Sequence, residues 1–299
     1  MTQEFVMKLK FADINGYRTR YAEARQAGKP QLILISPQPQ SILAYTQWWE
    51  RLIEQFDVVA VDLPNHGGSD AAKELTTVSQ QAAFMEQILD HFKLDNPHYV
   101  GPDVGTPIGL RFMADHPGRI KSAVIGDAGA VGQVEGHIIF RLLVYSRPFQ
   151  MFISLWGGAI GGRIYCAVAN LAGYRHKDYT PPAPILADYR RGSMNVAKLR
   201  AQIGFLGSYP NETPQMANDV KKIETPILVL HGEKDTFVAM SNSQRLHELL
   251  PNSEFGVIEG AGHYSYEDNA EQYLAHVLRW VEKLKHHERD ESLVEHIAR

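Results

Sequence analysis

The sequence predicts an α/β protein, a mostly parallel, doubly wound sheet with a helical cap inserted late in the chain. Three observations predict it. Short continuous apolar runs recur along the chain, as strands buried on both faces require. Stretches with helical spacing of apolar residues separate them. The alternation stops after Ala123-Val124-Ile125-Gly126 and resumes at Pro226-Ile227-Leu228-Val229-Leu230. Between them, from about Val131 to Asn218, the chain is apolar and aromatic with helical texture.

Taken in order, Lys8 to Ile14 alternates like a half-exposed strand. Asn15-Gly16 signals a hairpin, and Tyr17 to Ala24 returns as its partner. Leu32-Ile33-Leu34-Ile35 reads as a central strand ending in Ser36-Pro37-Gln38-Pro39. Trp48, Trp49, Leu52 and Ile53 carry helical spacing. Val58-Val59-Ala60-Val61 is the next buried strand, closed by Asp62-Leu63-Pro64-Asn65-His66-Gly67-Gly68-Ser69. A one-sided helix spans Thr77 to Phe92, and His98-Tyr99-Val100 enters Gly101-Pro102-Asp103-Val104-Gly105. Beyond the insertion come a helix near Ser243 to Leu250, the strand Phe255 to Ile258, the loop Gly260-Ala261-Gly262-His263 and a helix from Ala270 to Lys285. The expected organisation is core to residue 130, cap over 131–218, and core again over 219–299 with a charged tail.

Composition bounds the function. The chain has 299 residues, 44% apolar and 21% charged, with net charge −4. That fits a soluble globular protein and gives no footprint for nucleic acid or an anionic membrane. The single cysteine, Cys166, excludes an internal disulfide. The apolar stretch from Leu142 to Ile160 is broken by Arg147, Pro148 and glycines, so no membrane span is expected. The N-terminal residues lack a signal-peptide pattern, and a cytoplasmic protein is the default expectation.

Gly101-x-Asp103-x-Gly105 lies between a strand and a helix, the context of a nucleophile elbow. The glycines would allow the sharp turn. The competing reading is that Asp103 merely caps the following helix. Asp235 follows a buried strand, and His263 follows another through a glycine-rich loop. Singly, each could be an ordinary turn residue. Together, Asp103, Asp235 and His263 stand in the order nucleophile, acid, histidine.

On these residues, roughly positions 8 to 285 resemble the α/β-hydrolase superfamily. The aspartate at the elbow resembles the branch of epoxide hydrolases and haloalkane dehalogenases. Asp62-x-Pro64-x-x-Gly67-x-Ser69 matches a turn of the same superfamily, and a structural role is expected for it. The resemblance implies an oxyanion hole from the backbone N–H groups of Val104 and Gln38. The family's usual His-Gly-x-Pro is here Ser36-Pro37-Gln38-Pro39; Pro37 lacks an N–H, but the expected donor is Gln38. Dehalogenases of this branch place a tryptophan after the nucleophile, where this chain has Val104, although the Gln38 amide could supply half of a halide site. Epoxide hydrolases use two cap tyrosines. Among Tyr145, Tyr165, Tyr174, Tyr179, Tyr189 and Tyr209, the resemblance favours Tyr209 and, as a guess, Tyr145. Trp156 is a further candidate for lining the pocket, and Asp127 is the reserve acid.

An ionised carboxylate needs no base before it attacks a saturated carbon. The expected function is therefore hydrolysis of an epoxide on a small apolar molecule through an ester on Asp103. Dehalogenation, opening of a strained lactone or decarboxylation, and ligand binding without turnover are the alternatives. No cofactor, nucleotide or metal is expected, since phosphate-loop and metal-ligand spacings are missing. The expected partner is a small-molecule substrate, with neither nucleic acid nor membrane, and a homodimer is compatible with the sequence.

Overall fold

The computed structural model describes residues 6–156, 173–175 and 179–297. Eight strands form one sheet in the order β1-β2-β4-β3-β5-β6-β7-β8. They are β1 (Lys10–Ile14), β2 (Tyr17–Ala24), β3 (Gln31–Ile35), β4 (Asp57–Val61), β5 (His98–Pro102), β6 (Ser122–Gly126), β7 (Ile227–Gly232) and β8 (Ser253–Ile258). The β1–β2 hairpin turns at Asn15 and Gly16, both at positive φ, and is antiparallel. β2 also runs antiparallel to β4, with Tyr21 opposite Val61. The remaining pairs are parallel.

The apolar runs predict this sheet because alternate side chains enter two cores. Ile33 and Ile35 pack on one face with Tyr99 and Ile108. Leu32 and Leu34 pack on the other with Trp48, Tyr273 and Val277. Each such side chain, fully buried, contributes on the order of 1.5–3 kcal/mol. The helices covering the sheet are α1 (Trp49–Gln55), α2 (Val78–His91) and α3 (Gly105–Asp115) early in the chain. Late in the chain come α8 (Met240–Leu249), the short α9 (Ser265–Asp268) and α10 (Ala270–Ile297). Thr77 starts α2 by accepting from Gln80 N at 3.2 Å, an N-cap that satisfies an otherwise orphaned donor.

Between β6 and β7 run α4 (Ile138–Tyr145), α5 (Arg147–Trp156), α6 (Ala183–Ser193) and α7 (Val196–Asp219). We call these the cap helices. Among the described residues no single helix is long and apolar enough to cross a membrane, and α4 and α5 meet at a 92° bend. Cys166 and Tyr165 lie outside the described residues.

The turn after β4 fastens the cap. Asp62 accepts from Ile42 N at 2.8 Å, Gly68 N at 2.9 Å and Arg20 Nε at 2.5 Å. Arg20 reaches on to Asp188 of α6 with both terminal nitrogens, at 2.7 and 2.8 Å. Lys198 Nζ and Gln202 Nε2 of α7 donate to the carbonyls of Gly67 and Asn65 at 3.0 and 2.7 Å. Glycine is required at 67, where φ is +42° and a Cβ would stand 2.3 Å from the Asp62 carboxylate.

Candidate active site

β5, β6, β7 and β8 are consecutive neighbours in the sheet, so the residues following them converge at one edge. Asp103 follows β5, Asp127 follows β6, Asp235 follows β7 and His263 follows β8. Asp103 itself carries the strain of the elbow, with φ of +55°, a conformation that few non-glycine residues adopt. Gly101 and Gly105 are not at positive φ. They are small because the Tyr99 ring packs on them: a Cβ on Gly101 would lie 2.4 Å from the Tyr99 hydroxyl oxygen. That hydroxyl donates to Gly105 O at 2.6 Å. The glycines thus serve close packing, which corrects the expectation that they free the turn.

Asp103 does not cap α3. The N-cap position is Val104, and no side chain caps it. Instead Asp103 Oδ2 accepts the backbone N–H of Gln38 at 2.7 Å. Its other oxygen, Oδ1, lies 3.7 Å from His263 Nε2. His263 Nδ1 donates to Asp235 Oδ2 at 2.9 Å. Asp235 is fixed in turn, its Oδ1 accepting from Phe237 N at 2.7 Å and Val238 N at 2.9 Å. Because Asp235 can only accept, Nδ1 carries a proton and Nε2 is the atom presented to Asp103. Burial opposes a charge on His263, but Asp235 and then Asp103 outweigh it and hold its pKa well above the ordinary histidine value.

A cavity of about 110 Å³ opens over this group. Gln38, Asp103, Val104 and His263 form its floor, with Phe237 and Tyr264 beside them. The cap supplies Phe140 and Leu143 from α4, Phe149 and Ile153 from α5, and Leu206 and Tyr209 from α7. Val104, expected as the second oxyanion donor, is therefore placed against the cavity directly after Asp103.

The other expected residues divide. Tyr209 lines the cavity. Tyr145 does not: it is 41% exposed, and its hydroxyl accepts from Val134 N at 2.8 Å, which corrects its assignment to the pocket. The Trp156 side chain lies outside the described residues. Asp127 is buried beside the triad, yet its oxygens take Gly232 N at 2.9 Å and Ser265 Oγ at 2.5 Å, and among the described residues no hydrogen bond joins it to His263. Burial, then the nearby Asp235 charge, pushes its carboxyl up to about 8, so it is protonated near neutrality. Asp127, His231 and Asp235 gather potential ligand atoms within 4.8 Å. The Asp127 and Asp235 oxygens accept from N–H and O–H groups of the protein and His231 Nδ1 lies 2.9 Å from Ser243 Oγ, while His231 Nε2 is buried 3.6 Å from Asp235 Oδ2.

Two features have no local signal in the sequence. His66, in the turn after β4, places Nε2 3.2 Å from Gln38 Oε1. Glu267, buried in α9, accepts four bonds: Tyr174 at 2.7 Å, Tyr179 at 2.7 Å, Tyr189 at 3.0 Å and Gln40 Nε2 at 3.0 Å. Three of the cap tyrosines counted as candidate proton donors are thus occupied by one carboxylate. The proximity of Ser265-Tyr266-Glu267-Asp268 to His263 was the one available hint.

The sequence profile of the alpha/beta hydrolase fold matches residues 39–270. The chain belongs to that family. An uncharacterised hydrolase of Bacillus subtilis, YugF, is 23% identical over 93% of this chain and 99% of its own length. A putative lipase of Acinetobacter baumannii superposes with a TM-score of 0.78 at 20% identity, over 93% of this α/β-hydrolase and 92% of that one. The epoxide hydrolase CorEH superposes with a TM-score of 0.74 at 21% identity, over 93% and 99%. At these identities the likeness is one of fold, and a fold hosts many chemistries. The chemistry of this α/β-hydrolase has to be argued from its own site.

Proposed function

We propose that this α/β-hydrolase opens an epoxide on a small apolar molecule through an ester on Asp103. The observation that carries this reading is the division of labour between the Asp103 oxygens. Asp103 lines the cavity, its Oδ2 held by the Gln38 N–H and its Oδ1 left 3.7 Å from His263 Nε2. A serine would need its proton removed first; this carboxylate attacks as it stands.

The steps balance as follows. Oδ1 bonds to an epoxide carbon, the C–O bond of the ring breaks, and the alkoxide takes a proton from Tyr209, the cap phenol at the cavity. Alkylation removes one of the two negative charges that hold His263 protonated, so its pKa falls. His263 passes its proton to the Tyr209 phenolate and, now neutral, takes one from water, whose hydroxide attacks Asp103 Cγ. Charge develops on Oδ2, where the Gln38 N–H already points, with Val104 N–H as second donor. The tetrahedral centre collapses, the diol leaves, and Asp103 is again a carboxylate beside a protonated His263, as at the start. The apolar cap helices favour an apolar substrate.

The Gln38 side chain at the cavity gives dehalogenation a foothold, since an amide N–H can grip a halide. Intact mass decides between the two. His263→Gln, incubated with a panel of epoxides and haloalkanes, should accumulate an adduct of the whole epoxide mass that Asp103→Asn lacks. An adduct lighter by one hydrogen halide would assign dehalogenation, and the absence of any adduct would overturn the nucleophile.

A further inference from the structure

We infer that His66 is a positioning residue for the oxyanion donor, holding the Gln38 loop in register with Asp103. The inference rests on the ester mechanism proposed above. It begins from the composition of the loop. Ser36-Pro37-Gln38-Pro39 contains two prolines, so between residues 37 and 39 the only backbone donor is Gln38 N–H. That donor is committed to Asp103 Oδ2 at 2.7 Å. Ser36 N, before it, donates to Val61 O at 3.0 Å, and the two prolines leave no further N–H in this stretch to fix its position. The Gln38 side chain supplies a tie, and it meets His66 Nε2 at 3.2 Å.

His66 is built to be rigid. It is 1% exposed, its backbone N donates to Leu63 O at 2.9 Å, and its Nδ1 lies 3.1 Å from Pro64 O. Burial lowers its pKa to about 4, so the ring is neutral and carries one proton. The Pro64 carbonyl can only accept, so that proton sits on Nδ1, and Nε2 accepts from the Gln38 carboxamide turned to present its NH2.

The ring is also bracketed by the cap. Its neighbours Asn65 and Gly67 receive Gln202 and Lys198 of α7 on their carbonyls, and the Phe205 ring meets the imidazole edge-on at 6.5 Å. A continuous set of contacts therefore runs from α7 through His66 and Gln38 to the nucleophile. The turn after β4, expected only to be structural, becomes part of the catalytic apparatus at one remove.

The assignment predicts an uneven effect on the two half-reactions. The Gln38 N–H is needed most when charge develops on Oδ2, during hydrolysis of the ester. His66→Phe should slow that step about tenfold to a hundredfold, the scale of a small misplacement of a catalytic group, and slow alkylation only a few-fold. The ester should then become visible by intact mass during turnover, with His263 still present. His66→Gln, which keeps a hydrogen-bonding end, should recover most of the loss. Gln38→Leu, which keeps the backbone N–H but drops the amide, should reproduce the pattern and guards against a folding defect in His66→Phe. Equal slowing of both steps, or normal ester hydrolysis in Gln38→Leu, would overturn the assignment. Absence of any adduct in His263→Gln would instead strike the ester mechanism. In that case a crystal structure of His66→Phe decides: a Gln38 N still bonded to Asp103 Oδ2 refutes the positioning role, and a displaced one supports it.

Discussion

Two carboxylate centres in this molecule are built in opposite ways. Glu267 is surrounded by four neutral donors, two on each oxygen. Asp103, at the cavity, has one oxygen bonded to Gln38 N and the other 3.7 Å from His263 Nε2. The chemical group is the same, and the completeness of its hydrogen bonding differs. A fully satisfied carboxylate is a structural knot, whereas a half-satisfied one beside an imidazole is positioned to react. Each centre also has its own electrostatics. Burial pushes Glu267 up to about 7 and its four donors pull it back, without a cation. Asp103 instead faces His263, whose cationic form it favours together with Asp235.

Substitutions should expose that difference, and the largest effect belongs to the catalytic centre. Asp235→Asn removes the acceptor that sets the His263 tautomer, so steady-state turnover should fall by about 10³–10⁴-fold while the melting temperature changes little. Comparable turnover in that variant would mean that Asp127 orients the histidine instead. Glu267→Gln reverses the pattern. The amide cannot accept from all four donors, which should cost about 1–3 kcal/mol in chemical denaturation and leave kcat within a few-fold. A collapse of kcat there, with stability intact, would show that the tyrosine knot also shapes the site.

A third difference is a pH dependence. The Asp127 carboxyl rises from 3.8 to about 8 in the folded chain, so the folded state binds the extra proton. Its contribution to stability is full below the unfolded value and is lost as pH rises through the folded one. Glu267, raised to about 7, acts with the same sign. Asp127→Asn should therefore flatten the decline of melting temperature between about pH 4 and 8, and an unchanged slope would show that Asp127 is ionised.

How much of this was legible in the sequence follows from how local each signal is. β3 and β4 are buried runs of contiguous residues, and the order Asp103, Asp235, His263 is a linear pattern, so both could be read directly. The tyrosine knot joins Glu267 to residues 78 to 93 positions away, and no local rule predicts such pairs. Tyr145 misled because its hydroxyl answers a backbone N–H in its own neighbourhood, which composition does not reveal. Gly101 and Gly105 were noticed for the wrong reason: the restriction comes from the Tyr99 ring, and the left-handed backbone belongs to Asp103. His66 stayed hidden inside a turn whose structural role was sufficient to explain it.

The fastening of the cap is lopsided. α6 and α7 are held by Arg20, Asp188 and Lys198, directional contacts that a few tenths of an ångström would break. α5 faces the reacting atoms with Phe149 and Ile153, while Met151 and Leu155 stand 61% and 69% exposed. Arg200 Nε of α7 donates to Ser154 O of α5 at 3.2 Å. Apolar surfaces slide at small cost because their attraction has no direction. α6 and α7 thus stand over the site through directional contacts and carry Tyr209, whereas α5 meets the cavity with apolar side chains.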